Sequence, residues 1–548
     1  MQTRFARERK WFAGMMLAML AALWMGGTSI SAAADAPKQK SEEAQDKKAD
    51  APKSPPDQKD VDKKETDDSD AVKKKPVEKK SGQKNSDESQ DASEDPDKAA
   101  SGEDYFELMR VFVDTFQEID QNYVKEVDRR KLINAAVRGM LAELDPYSDY
   151  IAPDDLEHFT EAISQEFGGV GIHVNWDSSS RAIEIVIPLP GSPAYKAGLK
   201  AGDRIVEING KLVKEFPVQR ELDTAVEMLR GKPGEKVELG IQHPGSKEVD
   251  KISLKREMIQ LDTVLGDTHH EDGTWELMLD DKEKIGYIRL THFTSRSAGE
   301  MREALKSLKK RGMKGLILDL RYNPGGLLEA AVDIADMFIS EGLIVSTDGR
   351  NSAHRTWSAK SFGTFTGFPI AVIVNHYSAS ASEILSACLQ DHQRAVVVGE
   401  RSWGKGSVQD VIDLEDGKSA LKLTTASYHR PSGKNIHRFP NSKESDEWGV
   451  TPDKGYQAEF TLKDHQAYQN YRHERDFPGK QTKDATFEDK QLQLAKDYIE
   501  KELKEKSSEV EEAPGKPEKK PAAKSEKKKA AQGVHHHHFY AAPRVRAG

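Results

Sequence analysis

The chain has 548 residues, which allows roughly three or four domains. Charged residues make up 32% of it and hydrophobic residues only 36%, and the formal net charge is -10. The charges occur in runs of mixed sign without a basic patch, so the composition excludes a dedicated nucleic-acid binder. A single cysteine, Cys388, excludes an internal disulfide, and its apolar helical surroundings predict a buried small hydrophobe.

Residues 1–34 have the three regions of a secretory signal peptide. Four basic residues precede an apolar stretch from Trp11 to about Met25, and the small residues from Ser31 to Ala34 offer a cleavage site. The apolar stretch is too short to span a bilayer comfortably. We therefore expect export to the periplasm or cell envelope, with an uncleaved N-terminal membrane anchor as the alternative.

Two segments are too polar to fold alone. Residues 35–102 consist almost entirely of Lys, Asp, Glu, Ser, Gln, Pro and Ala, and residues 507–548 are rich in lysine. Such composition cannot bury enough apolar surface to offset chain entropy, so both are predicted to be disordered. The run from His535 to His538 could bind metal, but a solvated tail is the favoured interpretation.

Helical periodicity marks both ends of the folded region. Residues 103–162 contain two amphipathic helical patterns, and the turn-forming string DPYSDY interrupts this periodicity. Residues 460–506 form a C-terminal helical region. These helices also offer surfaces for a homodimer.

Residues 163–257 read as short strands with glycine-rich turns and one helix. The string FGGVGIHV places three glycines ahead of a strand, and AGLKAGDRIVEINGK follows. A glycine loop beside an edge strand can hold a peptide carboxylate and accept an extended peptide as an additional strand. The segment resembles a PDZ domain, which implies capture of protein C-termini. The predicted peptide-binding residues are Phe167, Gly169, Val170, Gly171 and Ile172. Arg230 is a weaker candidate for relaying occupancy to an active site.

Residues 258–459 alternate short β-rich runs with helical patterns. GYIRL, GLILDL, PIAVIV and RAVVVG are separated by segments such as SAGEMREALKSLKKRG. This alternation predicts an α/β core. Asp319 and Arg321, at the end of the second run, are expected to brace the strand rather than take part in chemistry.

A small-residue turn in VNHYSASASEI offers a serine nucleophile. A strand-to-helix turn exposes the side chain and leaves helical N–H groups unpaired, which can stabilise an oxyanion. Ser378, Ser380 and Ser382 compete for this role, and simple helix N-capping is the alternative. The glycine pair Gly325 and Gly326 offers a second backbone donor.

Lys405, bracketed by glycines in VVVGERSWGKGSVQ, is the candidate base because no histidine lies in a comparable motif. An ordinary lysine pKa of about 10.4 leaves only about 0.04% neutral at pH 7, and burial can lower that pKa. The string also resembles the start of a phosphate-binding loop. Gly406 replaces the required Ser or Thr, and SVQDVIDL alternates like a strand, so nucleotide binding is rejected.

The ordered strings DLRYNPGG, SASASE, GERSWGKGSVQ, ALKLTTASYHRPSGKNI and GVTPD resemble the C-terminal processing (tail-specific) peptidases over about residues 103–503. The resemblance implies an α+β multidomain chain in which a crotonase/Clp-like α/β serine protease core carries an inserted PDZ domain. It implies Ser380 as nucleophile, Lys405 as base and Gln409 as the residue that orients the lysine. The implied oxyanion donors are the backbone N–H groups of Ala381 and Gly326.

The sequence thus predicts an exported endopeptidase that recognises apolar protein C-termini and cleaves through an acyl-enzyme. Neither a metal nor an organic cofactor is expected in this chemistry. An adaptor or activator protein is a further expected partner. The rival functions are a catalytically inactive peptide-binding scaffold, which has no use for the dyad, and a hydratase-like enzyme, which needs neither Lys405 nor a PDZ segment.

Overall fold

The structure is a computed structural model that describes residues 102–270, 273–476 and 487–512. The predicted signal peptide, most of the linker and most of the lysine-rich tail lie outside the described residues. The described chain divides after Leu144 into two compact units. No helix in these described ranges is long and apolar enough to cross a membrane.

The first unit contains two helices, α1 (Gly102–Asn122) and α2 (Arg129–Ala142). Asp128 caps α2 by accepting a hydrogen bond from the backbone N–H of Lys131 at 3.1 Å. Several large apolar side chains of α1 are exposed, among them Phe106, Leu108 and Val111. An exposed apolar helix of this kind is typical of a surface that contacts another chain.

The second unit begins with a β-rich region that ends at residue 260. Its elements are β1 (Asp149–Ile151), α3 (Leu156–Ser164), β2 (Glu166–Gly169), β3 (Ile172–Asp177), β4 (Ala182–Pro188), α4 (Pro193–Lys196), β5 (Arg204–Ile208), β6 (Lys211–Leu212), α5 (Glu221–Leu229), β7 (Lys236–Gln242), β8 (Asp250–Lys255) and β9 (Glu257–Gln260).

An antiparallel sheet of order β3-β4-β5-β7-β8 forms the centre of this region, and β6 pairs with β5. Alternate residues of its strands, such as Ile183 and Ile185, enter a shared apolar core with residues of α5, as the period of two along a strand requires. Strand β3 lies at the edge of the sheet. The sequence predicts a loop for the glycine string ahead of β3. The structure differs, because Phe167 to Gly169 form strand β2 and pair with β9.

The α/β core occupies the rest of the second unit. Its elements are β10 (Val264–Leu265), β11 (Thr268–His269), β12 (Trp275–Glu276), β13 (Met278–Asp280), β14 (Ile285–Leu290), α6 (Ser297–Lys310), β15 (Gly315–Asp319), α7 (Leu328–Asp336), β16 (Leu343–Asp348), β17 (Arg355–Ser358), β18 (Ile370–Val374), α8 (Ala381–Asp391), β19 (Val396–Gly399), β20 (Ser407–Leu414), β21 (Ser419–His429), α9 (Leu462–Arg475) and α10 (Lys490–Glu512).

Strands β14, β15, β18 and β19 form a parallel sheet that is buried on both faces. Leu316 and Leu318 of β15 face helices α6, α7 and α8, whereas Ile317 faces α10. This arrangement explains why the strand sequences are continuously apolar instead of alternating. Helix α10 continues beyond residue 506, where the predicted helical region ends.

A second sheet of order β1-β21-β16-β17 stands beside the parallel one, and β20 pairs with β21. The segment after Lys405 is therefore strand β20, as its alternation predicts. A phosphate-binding loop would open a helix here, so the fold agrees with the rejection of nucleotide binding.

A buried ion network ties α10 to the parallel sheet. The Arg321 guanidinium bonds Asp319 at 2.6 Å and Asp489 at 2.9 Å, and it donates to the Gln491 side chain at 3.1 Å. Burial opposes the charge on Asp319, but the Arg321 guanidinium holds the pKa of that carboxyl below its ordinary value. Asp319 and Arg321 thus brace the strand end against the C-terminal helix.

We predict that Arg321→Ala lowers the free energy of unfolding by about 3–5 kcal/mol, because it leaves buried carboxylates without their cation. Urea unfolding of this variant measures the loss. Arg350→Ala, at an exposed arginine, should change the free energy of unfolding by less than about 0.5 kcal/mol. Equal effects of the two substitutions would contradict a stabilising role for the network.

Candidate active site

The turn between β18 and α8 distinguishes the three serines. The Ser378 hydroxyl donates to the Leu320 carbonyl at 2.8 Å, and the Ser382 hydroxyl donates to the Asn323 carbonyl at 2.9 Å. Both residues are fully buried and hold the turn in place. Ser380 lies between them at the start of α8, with φ 56° and ψ -115°. That backbone conformation is strained for a non-glycine residue, and such strain clusters at functional sites.

Lys405 lies at the end of the loop that follows β19, and its amine is oriented by Gln409. Lys405 Nζ donates to Gln409 Oε1 at 2.5 Å. The Gln409 amide nitrogen in turn donates to Ser407 Oγ at 2.9 Å and to Thr424 Oγ1 at 3.1 Å. Because the amide is fixed at both ends, its carbonyl oxygen stays directed at the lysine.

One buried carboxyl group joins the serine turn to the lysine loop. Glu383 Oε2 accepts from the backbone N–H groups of Ser380 and Lys405, each at 2.8 Å. Its other oxygen accepts from the Gly404 N–H at 2.7 Å and from the Ser402 hydroxyl at 2.5 Å. Burial raises the pKa of Glu383, while these four donors act in the opposite direction. Two separate segments of the chain are thereby held on one side chain.

Burial lowers the pKa of Lys405 to about 8, with a contribution from the positive charge of Lys422. The carboxyl groups of Glu383 and Asp145 oppose this change. A lysine with that pKa is neutral in about one molecule in ten at pH 7, compared with about one in three thousand at the ordinary value. The site therefore supplies the uncharged amine that general-base catalysis requires.

Close packing explains the glycine that precedes the lysine. Gly404 has φ +88°, and a Cβ atom there would lie 2.8 Å from Cβ of Arg438. Any other residue at this position would displace the loop, so glycine is required both by conformation and by space.

Two backbone amides near Ser380 remain available for a substrate oxygen. The Gly325 N–H is occupied, since it donates to Asn323 Oδ1 at 2.9 Å. Among the described residues, no acceptor bonds the N–H of Gly326 or of Ala381. Gly325 itself lies against the nucleophile turn, where a Cβ atom would come within 2.9 Å of the Ala381 nitrogen. The glycine pair and the start of α8 are thus in contact, and each contributes one available backbone N–H group, from Gly326 and Ala381.

Tyr428 occupies the space between the serine and the lysine loop. Its hydroxyl donates to the Lys405 carbonyl oxygen, and the Ser380 side chain is a polar neighbour of Tyr428. In the described part of the chain, no hydrogen bond joins the Ser380 hydroxyl directly to Lys405 Nζ. The amine is instead held by Gln409.

The predicted peptide-binding residues line one groove. The residues around it are Phe167, Gly169, Val170, Gly171, Ile172, His173, Val174, Leu189, Val226, Leu229, Arg230 and Leu261. The groove runs between edge strand β3 and helix α5, and its walls are mostly apolar. Gly171 has φ +72°, and a Cβ atom there would lie 2.3 Å from Cβ of Ser192, so this turn requires glycine.

Arg230 lies at the margin of this groove. Its guanidinium is 4.9 Å from the centre of the Phe167 ring and pairs with Glu161 of α3 at 3.2 Å. Arg230 therefore joins the groove to α3, and its role as a relay to the active site stays a prediction.

Sequence reasoning missed the contributions of Glu383 and Tyr428. Glu383 is the third residue after Ser380, which is the capping-box position and could have indicated its bond to the Ser380 N–H. Its bonds to Gly404 and Lys405 depend on tertiary structure and have no signal in the sequence.

Cys388 is buried, and burial raises the pKa of its thiol to about 12, which keeps the thiol protonated.

Three family models match the chain. The model of peptidase family S41 matches residues 284–454, and a PDZ domain model matches residues 185–243. The model of the N-terminal domain of the activating protease CtpB matches residues 67–154.

Curated relatives are similar over most of their length. A carboxy-terminal-processing protease of Bartonella bacilliformis is 37% identical over 354 residues, which cover 64% of this chain and 75% of the relative. The carboxy-terminal processing protease CtpA of Bacillus subtilis is 36% identical over 342 residues, covering 62% of this chain and 68% of the relative. Among solved structures, a photosystem II D1 C-terminal processing protease is 29% identical, covering 64% of this chain and 92% of that protein with a TM-score of 0.35.

We predict that Glu383→Gln lowers kcat/KM for peptide cleavage by at least about 100-fold, because the site loses the acceptor that positions both the Ser380 turn and the Lys405 loop. An amide at this position also presents N–H groups to backbone donors, so the free energy of unfolding should fall by about 2–4 kcal/mol. Peptide hydrolysis and urea unfolding measure the two effects.

The matched control is Glu157→Gln, at an exposed glutamate that likewise lies in the first turn of its helix. This control should leave cleavage unchanged and alter the free energy of unfolding by a few tenths of a kcal/mol at most. Full cleavage activity in Glu383→Gln would show that the carboxyl group does not position the site.

Proposed function

The chain belongs to the carboxy-terminal processing proteases of peptidase family S41 and is a serine-type peptidase with a PDZ domain, and from this premise we propose its specific chemistry. We propose an exported endopeptidase that holds apolar protein C-termini in its PDZ groove. It cleaves peptide bonds through an acyl-enzyme on Ser380, with Lys405 as the base.

The observation that carries this proposal is the shared carboxyl group of Glu383. It brings the backbone of the nucleophile and the backbone of the base to the same oxygen atom, at 2.8 Å each. With both backbones fixed, the proposed mechanism requires the Ser380 hydroxyl to turn toward the Lys405 amine, which Gln409 continues to hold.

Acylation starts with neutral Lys405. Its amine accepts the hydroxyl proton of Ser380 as the oxygen attacks the peptide carbonyl. The negative charge that develops on the carbonyl oxygen is stabilised by the backbone N–H groups of Gly326 and Ala381. These donors need no reorganisation during the reaction, because neither has an internal acceptor in the described structure.

Collapse of the tetrahedral intermediate and deacylation use the same lysine. The Lys405 ammonium returns its proton to the leaving amine, and the peptide bond breaks. The neutral amine then accepts a proton from water, which attacks the Ser380 ester. As the ester bond breaks and the new C-terminus leaves, the Lys405 ammonium returns this proton to Ser380 Oγ. Gln409 keeps the amine in line during both proton transfers, since its own amide is held by Ser407 and Thr424.

Substrate capture is assigned to the groove lined by Phe167, Gly169, Val170, Gly171 and Ile172. An extended peptide adds to β3, the outer strand of its sheet in the described residues, and its terminal side chain enters the apolar space beside Val226 and Leu229. The apolar lining supports a preference for apolar C-termini.

Several assignments from the sequence complete the proposal. Export to the periplasm or cell envelope rests on residues 1–34, which lie outside the described residues, and is in keeping with the bacterial relatives. The exposed apolar face of α1 supports a homodimer, and the match to an activating protease's N-terminal domain supports an activator partner. We also assign the parallel sheet with its flanking helices to the crotonase/Clp-like architecture.

We predict that Ser380→Ala and Lys405→Ala each lower kcat/KM for a peptide with an apolar C-terminus by at least about 1,000-fold. Neither substitution touches the PDZ groove, so affinity for that peptide should stay within about twofold of the parent value. Leu229→Asp should instead weaken peptide binding by about tenfold or more, because it places a charge in an apolar groove. Fluorescence anisotropy measures binding, and mass spectrometry measures cleavage.

Matched controls are Ser361→Ala and Lys418→Ala, both at exposed positions, which should cleave at the parent rate. Continued hydrolysis by both dyad variants would contradict the proposed mechanism. Peptide binding without cleavage by the parent enzyme would favour the peptide-binding scaffold.

A further inference from the structure

A cluster of metal-binding side chains lies behind the catalytic loops. His376, Glu400 and His465 each offer one ligand atom, and these atoms all lie within 4.8 Å of one another. His376 Nδ1 is 2.8 Å from Glu400 Oε2, and His465 Nε2 is 3.3 Å from Glu400 Oε1. Two imidazoles and one carboxylate are a ligand set that suits zinc and similar transition-metal ions.

The cluster connects three segments that are far apart in the sequence. His376 is in the turn that leads to Ser380, Glu400 is in the loop that leads to Lys405, and His465 is on α9. The backbone N–H of Glu400 donates to the Val374 carbonyl at 3.0 Å, which fixes this residue at the end of β18. An ion at this position would therefore cross-link both catalytic loops to the C-terminal helical region.

The Glu400 carboxylate is buried without a basic side chain beside it. Its side chain is 8% exposed, and in the described ranges its ion-pair partners are the two histidines and neither Lys nor Arg. Its remaining bonds come from the Phe460 N–H at 2.7 Å, the Gln491 amide at 3.4 Å and the His376 backbone N–H at 3.4 Å. Buried carboxylates are normally paired with a cation or bound to a metal, so this site has a place for positive charge.

The surrounding groups orient the ligands as in known metal sites. The Tyr322 hydroxyl and His465 Nδ1 are 2.6 Å apart, which fixes the ring and directs Nε2 at Glu400. Metal-bound histidines regularly use their other ring nitrogen in this way. The side chain of His465 is 9% exposed, whereas that of His376 is 43% exposed and leaves a path for the ion.

We propose that His376, Glu400 and His465 bind one divalent transition-metal ion such as Zn²⁺, and that this ion fastens α9 to the loops carrying Ser380 and Lys405. Tetrahedral coordination places ligand atoms about 3.4 Å apart. His465 Nε2 lies near this distance from Glu400 Oε1, at 3.3 Å, whereas His376 Nδ1 lies 2.8 Å from the other oxygen, Oε2. Binding of one ion therefore requires the half-exposed His376 ring to rotate. The ion takes no part in peptide cleavage, which Lys405 and Ser380 perform.

The test uses the full chain with His535, His536, His537 and His538 replaced by alanine, because that run would bind metal by itself. Titration with Zn²⁺ in competition with a chromogenic chelator should show one ion per chain, and Co²⁺ should give the visible absorption of a tetrahedral site. Mg²⁺ and Ca²⁺ should not compete, since both prefer oxygen ligands.

In this background, His376→Asn and His465→Asn should each weaken Zn²⁺ binding by at least about 100-fold, and Tyr322→Phe by about tenfold. The control His354→Asn removes an exposed histidine that bonds Asp348 at 2.6 Å, and it should leave the affinity unchanged. Because binding is measured without substrate, the result does not depend on the proposed peptidase mechanism.

Because His465 is buried, its replacement could unfold the chain. The second measurement is therefore the thermal unfolding midpoint of the half-exposed variant His376→Asn. The midpoints of the parent and of this variant should agree in the presence of EDTA, and Zn²⁺ should raise only that of the parent. Absence of stoichiometric Zn²⁺ or Co²⁺ binding by the tail-substituted chain would overturn the proposal. Equal loss of affinity in His354→Asn and His376→Asn would overturn it as well.

Discussion

The active site of this protease depends on the bonds that the Glu383 carboxyl group accepts. The proposed nucleophile, Ser380, is on a turn after β18, and the proposed base, Lys405, is on a loop after the neighbouring strand β19, so their relative position depends on contacts between two separate segments. Glu383 Oε2 accepts from both backbones at 2.8 Å, and Oε1 fixes the intervening loop through Gly404 and Ser402. The group is buried, where hydrogen bonds are electrostatically stronger than in water. The proposed cleavage chemistry and the local backbone structure therefore both depend on the Glu383 side chain.

The same burial that strengthens these bonds also prepares the base. Lys405 lies where an ammonium is poorly solvated, so its pKa falls to about 8. The Gln409 carbonyl oxygen can accept a hydrogen bond from the amine in either charge state. Because this oxygen carries no formal charge, it does not strongly stabilise the ammonium form. A carboxylate in that position would raise the pKa of the lysine again. The choice of an amide partner therefore agrees with a lysine that works as a neutral base.

The strands and helices of the core could be predicted from the sequence, because continuous apolar strands such as PIAVIV carry strong local signals. The glycine-bracketed Lys405 also has a clear local signal, and its role as base stays a prediction. The residues alone left Ser378, Ser380 and Ser382 open, and the family resemblance selected Ser380; the structure adds that the Ser378 and Ser382 hydroxyls are bonded to the Leu320 and Asn323 carbonyls. The cluster of His376, Glu400 and His465 could not be predicted from the sequence, because its members are far apart in the chain. Tertiary contacts of single polar side chains have no periodicity that a sequence pattern could reveal.

The most direct test of this account is an NMR titration of the Lys405 amine. Protein labelled with ¹³C and ¹⁵N at lysine would be titrated in the Ser380→Ala background, and the Lys405→Arg variant would assign the resonance. The account predicts an inflection at a pH of about 8, so that the neutral fraction and the cleavage rate of the parent both rise with pH through this value. An inflection near the ordinary value of 10.5 would contradict the claim that burial supplies a neutral base.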